Sequence, residues 1–161
     1  MINQLEEVDG VLVWYNPIQS GGDRKPLDEV LRRTAELGIF VSAHPDVIMK
    51  LGTKEVLYRT RDMPWGSDRH LYQTLDELKA NLMKRLALGQ VRILKQSRGN
   101  GGNGVWKVAE DGTNDALVRI HHARRGSLAE IVPFSSLLSI MKEYFDAGTR
   151  IVIDQIYSLC C

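Results

Sequence analysis

Residues 91–108 read VRILKQSRGNGGNGVWKV. An apolar run, 91–94, ends in Lys95. A loop carrying Gly99, Gly101, Gly102 and Gly104 follows, and a second apolar run, 105–108, leads away. Two short apolar runs around a glycine-rich loop read as strand, loop, strand. Glycine lets the backbone approach a ligand closely, and successive N–H groups in such a loop can point at phosphate oxygens. Lys95, at the edge of the loop, supplies a compact positive charge for the same oxygens. The loop is not a Walker A motif, because no Gly-Lys-Ser/Thr ends it and no helical pattern follows at once. Gly99, Gly101 and Gly104 fit G-x-G-x-x-G, but a strand pattern follows where the dinucleotide fingerprint requires a helix. Two readings stay open here: a phosphate-binding loop, and a hairpin loop beside a surface lysine.

Upstream of this stretch, residues 11–15, VLVWY, read as a buried strand ending at Asn16-Pro17. Pro26 suits a first helical turn, Leu27, Val30, Leu31 and Leu37 lie along one helical face, and Gly38 reads as the stop. Residues 39–41 form a second short strand, so a parallel βαβ unit is expected. Ligands of such units sit at the carboxyl ends of the strands, which makes residues 16–23 and 44–46 candidates. Residues 46–51 have a short apolar face of helical spacing, and Thr53 is placed to cap residues 54–60. Thr74-Leu75-Asp76-Glu77 fits a capping box, and Leu75, Leu78, Leu82 and Leu86 continue an apolar stripe up to Gly89.

Downstream, Asp111-Gly112 is a hairpin-type turn, and residues 116–122, ALVRIHH, read as a strand. A basic loop with Arg124 and Arg125 follows. Residues 133–145 read as a helix with Leu137, Leu138, Met141, Tyr144 and Phe145 inward. Gly148 stops it, and residues 151–157, IVIDQIY, form a last apolar strand. From residue 89 on, the expected order is strand, loop, strand, strand, helix, strand.

The totals narrow the function. The 161 residues suit one ordinary domain or two small subdomains, and 43% hydrophobic content is enough for a core. A formal net charge of +1 gives no global argument for nucleic acid. No apolar run approaches the roughly 20 residues that span a bilayer, and the polar, acidic start is unlike a secretory signal, so a cytoplasmic setting without membrane contact is expected. Cys160 and Cys161, adjacent at the end, have neither disulfide nor metal-ligand spacing. His44, His70, His121 and His122 lack zinc spacing, and the adjacent pair in a strand would face opposite ways. Arg124 and Arg125 could hold a phosphate or carboxylate, although two arginines in a polar loop are more often simply solvated.

Lys95 followed by Ser97, Arg98, Gly99, Asn100, Gly101, Gly102, Asn103, Gly104 and Val105 resembles the strand lysine and flexible glycine loop of the ATP-grasp family. Biotin carboxylases and carbamoyl-phosphate synthetases show a close form of it, and the chain as a whole resembles uncharacterised bacterial ATP-grasp-like proteins. Lys54, in Gly52-Thr53-Lys54, looks like the family's earlier lysine. The last strand looks like the segment lining the adenine pocket, with Asp154, Gln155 and Tyr157 near the hinge.

The resemblance implies an α/β fold: residues 1–50 as the end of a parallel βαβ domain, and residues 51–161 as a partial ATP-grasp-like α+β subdomain. It implies ATP as cofactor, with Mg²⁺ whose ligands are not found in this chain. It also implies a small-molecule carboxylate as substrate, joined to an amine or thiol through an acyl-phosphate. In the family, the magnesium ligands and an arginine near the γ-phosphate follow the hinge, where this chain ends. The resemblance therefore implies a domain truncated at both ends and incomplete for catalysis. The alternative is a non-catalytic α/β module that binds a nucleotide or a partner chain, a homo-oligomer included, through an exposed sheet edge.

Overall fold

A computed structural model describes residues 7–15, 23–99, 101–112, 117–148 and 152–156. The chain is α/β and divides into two compact units, Met1–Thr53 and Lys54–Cys161.

The first unit pairs strand β1 (Gly10–Leu12) in parallel with β2 (Phe40–Ser42), joined through helix α1 (Lys25–Glu36). Pro26 in the first turn of α1 and Gly38 (φ +84°) just past it mark the helix ends as the sequence suggests. Leu31 and Val41 are buried between α1 and the strand pair. Helix α2 (Pro45–Leu51) follows, its first turn capped by His44, whose Nδ1 accepts from Asp46 N at 3.2 Å. The expected buried strand over 11–15 is corrected: β1 ends at Leu12, and Leu12 and Trp14 are exposed. A two-stranded sheet packed by one helix has only one covered face, and these side chains lie outside it.

The second unit is a six-stranded sheet in the order β3-β8-β4-β5-β6-β7, antiparallel throughout. Its strands are β3 (Arg69–Tyr72), β4 (Arg92–Gln96), β5 (Val105–Glu110), β6 (Leu117–His122), β7 (Glu130–Pro133) and β8 (Val152–Ile156). Short helix α3 (Glu55–Arg59) lies against β3. Helices α4 (Leu75–Leu86) and α5 (Phe134–Asp146) pack on each other and on one face of the sheet. Leu78, Leu82 and Leu86 of α4 meet Leu137, Met141 and Phe145 of α5 over Leu94, Val108, Val118 and Ile120. Each such side chain stabilises the fold by about 1.5–3 kcal/mol on burial, so this layer is the main source of stability.

Two features differ from the expectation. Strands β3 and β7 lie in stretches to which the sequence pattern assigns no strand. The inward residues of β3 are His70 and Tyr72, which the sequence pattern of a buried strand does not announce. Thr53 does not cap α3; Lys54 stands at the cap with no side-chain bond to the helix. The capping box of α4 does form: Thr74 Oγ1 accepts from Glu77 N at 3.2 Å, while Glu77 Oε2 accepts from Gln73 N at 2.8 Å.

On the helix side of β3, β8 and β4 the sheet buries charge beside hydrocarbon. Arg92 and Asp154 are both 0% exposed, their Nε and Oδ1 3.8 Å apart. Tyr72 Oη donates to Asp154 Oδ2 at 2.9 Å, Arg92 Nη2 donates to Asp68 Oδ2 at 2.8 Å, and Arg85 Nη2 donates to His70 Nδ1 at 2.9 Å. Burial pushes the Asp154 carboxyl above the usual range, and the Arg92 charge with the Tyr72 hydroxyl only partly offsets it. Burial also raises Asp68, but its hydrogen bonds from Arg92 and His70 win, and its carboxyl lies below the usual range. Removing one member of a buried pair leaves the other uncompensated, at about 3–5 kcal/mol, whereas apolar replacement of both is far milder. We therefore expect Asp154→Leu to lower urea-denaturation stability by about 3–5 kcal/mol, and Arg92→Met with Asp154→Leu to be less destabilised than the single variant. Additive losses would show that the pair is not coupled.

Candidate anion-binding site

The alternation of a β-strand places Arg92 and Leu94 against the helices and Ile93 and Lys95 on the opposite face. Arg69 of β3 shares that opposite face: it is in register with Gln155, which is in register with Ile93, two residues before Lys95. Lys54 is held beside them. Its backbone N donates to Ser97 O at 2.9 Å and its Nζ to Gly99 O at 3.1 Å, which fastens the start of α3 to the start of the glycine loop. Arg69 in turn donates from Nη1 to Leu57 O in α3 at 3.2 Å. Three cations from three segments are thus gathered on one side of the sheet.

None of the three forms an ion pair among the described residues. Burial lowers the Lys95 ammonium from its usual range, and the charges of Arg69 and Lys54 lower it further. Burial lowers Lys54 as well. The Arg69 Nε is buried with no acceptor. This unit as a whole is also the positive one, with sixteen Lys and Arg against twelve Asp and Glu, while the first unit has five against eight. Partly buried cations that repel one another and lack a counter-charge favour an anion in their midst. At an effective dielectric near 20, a unit charge about 4 Å away is worth about 4 kcal/mol, which a neutral ligand cannot supply.

The glycine loop, residues 97–104, joins β4 to β5 as a hairpin. Gly101, Gly102 and Gly104 have φ of +61°, +80° and +68°, a region costly for residues with a Cβ. Gln96 explains part of this. Its side chain lies inside the loop, with Nε2 donating to Asn103 O at 3.2 Å, and a Cβ on Gly104 would collide with Gln96 Cδ and Cγ. A Cβ on Gly99 would lie 2.5 Å from Gln96 Nε2. The loop glycines therefore make room for a neighbouring side chain, whatever else they admit.

The residues singled out from the sequence fall into separate places. Lys54, Lys95, Ser97, Gly99, Gly101, Gly102, Asn103, Gly104 and Val105 belong to one neighbourhood, with Val105 in register with Lys95. Arg98 is exposed on the loop. Asn100 and Tyr157 lie outside the described residues, and Gln155 is placed only by its backbone register in β8. Asp154 does not join the lysines: it is buried on the helix side with Arg92 and Tyr72. Arg69 and Gln96 were not identified from sequence. Arg69 stands in a strand with no apolar run, and Gln96 is informative only once the loop folds back on it.

Among the described residues no group of three or more His, Cys, Asp or Glu could hold a metal ion. Nor is any helix among them long and apolar enough to cross a membrane. No protein-family model matches this chain, and its sequence matches no curated protein.

Two outcomes test this geometry. Gly104→Ala should lose about 1–2 kcal/mol from its positive φ alone and more from the collision. Pairing it with Gln96→Ala should recover the collision part only, as read by urea denaturation. For Lys95, the folded pKa lies below the unfolded one, so the charged lysine opposes folding at neutral pH. That penalty is relieved as pH rises through the folded value toward the unfolded one. Lys95→Met should therefore raise the thermal midpoint at pH 7, and its advantage should shrink toward pH 10. A lower midpoint at pH 7 would mean that Lys95 is stabilised by a partner in the fold.

Proposed function

We propose that the Lys54–Cys161 unit binds ATP, with the triphosphate against Lys54, Lys95 and Arg69 and beside the glycine loop, after the manner of the ATP-grasp ligases it resembles. The observation that carries this reading is the gathering of three cations, without a carboxylate partner among the described residues, on the sheet face opposite the helices. The order Lys54, Lys95, glycine loop agrees with the family resemblance. A phosphate group would relieve the repulsion among the cations and move the pKa of both lysines back up as it entered. Such positioning and charge neutralisation is most of what a protein contributes to phosphoryl chemistry.

The proposal is for binding, not turnover. Asp154, the acid nearest the expected hinge, is committed to Arg92 and Tyr72 on the other face. The described residues place no carboxylate cluster beside the lysines to hold Mg²⁺, so no step is assigned to that ion. A carboxylate–amine or carboxylate–thiol ligation remains what the family resemblance suggests for the chemistry.

Calorimetric titration tests the reading. ATP should bind the wild-type chain, and Lys95→Met should weaken it at least about tenfold, or about 1.4 kcal/mol. Tripolyphosphate should bind more weakly than ATP if the base contributes, and adenosine alone should not bind measurably. A folded wild-type chain that binds no ATP, or an affinity indifferent to Lys95, would refute it.

A further inference from the structure

The glycine loop has a second cationic neighbour on its other side. Residues 123–127, between β6 and β7, carry Arg124 and Arg125. This loop meets the glycine loop at backbone distance: a Cβ on Gly102 would lie 2.8 Å from Ala123 O, just beyond the β5–β6 pairing that Ala123 N extends to Val105 O at 2.9 Å. Glycine at 102 is therefore what permits the two loops to touch. The arginine loop is not a loose tether. Ser127 N donates to Arg124 O at 3.1 Å, Ser127 Oγ donates to His122 O, Ser127 O meets His121 Nε2 at 3.1 Å, and Gly126 turns the chain at φ +81°.

Both guanidiniums are exposed, and neither forms an ion pair or hydrogen bond among the described residues. Arg124 stands close enough to His122 for its charge to lower that imidazole's pKa, after the burial of the ring itself. Elsewhere in this unit exposed arginines are engaged: Arg59 with Glu55, and Arg119 with Asp111. The exceptions lie at the glycine loop: this pair, and Arg98 on the loop itself. Guanidinium groups hold carboxylate and phosphate oxygens in a forked, bidentate geometry, which ammonium groups do not.

We infer that Arg124 and Arg125 form a second oxyanion subsite, separated from the Lys54–Lys95–Arg69 cluster by the glycine loop, that takes the carboxylate or phosphate of a non-nucleotide ligand. Its role as an acceptor site rests on the proposed ATP reading; the subsite itself rests on the loop contact and the two unpaired guanidiniums. Lys54 fastens the loop at Gly99, and the arginine loop touches it at Gly102. One loop thus borders both sites, and a ligand at either would contact the same few glycines.

Citrate and inorganic phosphate are the probes, titrated calorimetrically into four proteins: wild type, Arg124→Gln with Arg125→Gln, Lys95→Met, and Lys79→Gln with Lys84→Gln. The last removes two exposed positive charges from α4 as a control for net charge. At least one probe should bind wild type. The arginine double variant should weaken it at least tenfold and the α4 variant less than twofold, while Lys95→Met, which also disturbs the first anion cluster, should weaken it less than the arginine variant does. Tighter citrate assigns the subsite to carboxylates, and tighter phosphate to phosphorylated ligands. ATP affinity should stay within twofold in the arginine variant.

Three results would overturn the inference: neither probe binds wild type, Lys95→Met weakens probe binding as much as the arginine variant does, or the arginine variant weakens ATP as much as it weakens the probe. Arginine-dependent citrate or phosphate binding by a chain that binds no ATP would keep the subsite and reject the ATP reading. The two proposals can therefore fail separately.

Discussion

Successive side chains of a β-strand face opposite ways, and in this sheet that constraint separates two kinds of charge. Arg92 and Leu94 turn toward the helices; Lys95, next along β4, turns away. On the helix side every buried charge has a partner: Arg92 with Asp154 and Asp68, Asp154 with Tyr72, Arg85 with His70. On the other side Lys95, Arg69 and Lys54 face one another without a carboxylate among the described residues. The leucine layer of α4 and α5 holds the sheet in this register, because a slip of one residue would exchange the two faces of a strand. Packing energy on one face therefore maintains an electrostatically unfavourable arrangement on the other. Such local conflict with stability is where a binding function is reasonably sought.

The two faces are also mechanically linked through β3. His70 and Tyr72 tie that strand inward, to Arg85 and to Asp154. Arg69, beside His70, points the other way and holds α3 through Leu57 O. Lys54, at the cap of α3, then reaches the glycine loop. The buried charge network thus fixes the strand from which the cation cluster is hung. Arg92 and Asp154, at the centre of that network, are fully buried.

Much of the fold could be read from residue order. The leucine stripe at 75, 78, 82 and 86, the capping box at Thr74 and the glycine after each helix placed α1, α4 and α5. The strand–loop–strand around Lys95 was legible because both strands are apolar runs. Strand β3 was not, because its inward positions are a histidine and a tyrosine satisfied by charges distant in sequence. Arg69 went unnoticed for the same reason. The family resemblance alone suggested Asp154 as a residue near the adenine hinge. Its partners, Arg92 and Tyr72, are visible only once β8 lies between β4 and β3. Gln96 shows the opposite limit: the loop glycines suggest a ligand from sequence, whereas in the fold a neighbouring side chain already requires some of them.

The most direct measurement is NMR titration of the lysine side-chain carbons, which reads the pKa of Lys54 and Lys95 individually, in the free protein and with ATP. Both ammonium groups should titrate below the usual lysine range in the free protein and move back up when the triphosphate supplies the missing negative charge. Ordinary values in the free protein, or depressed values that ATP leaves unchanged, would contradict the view that this sheet face is an uncompensated cation cluster built for an anion.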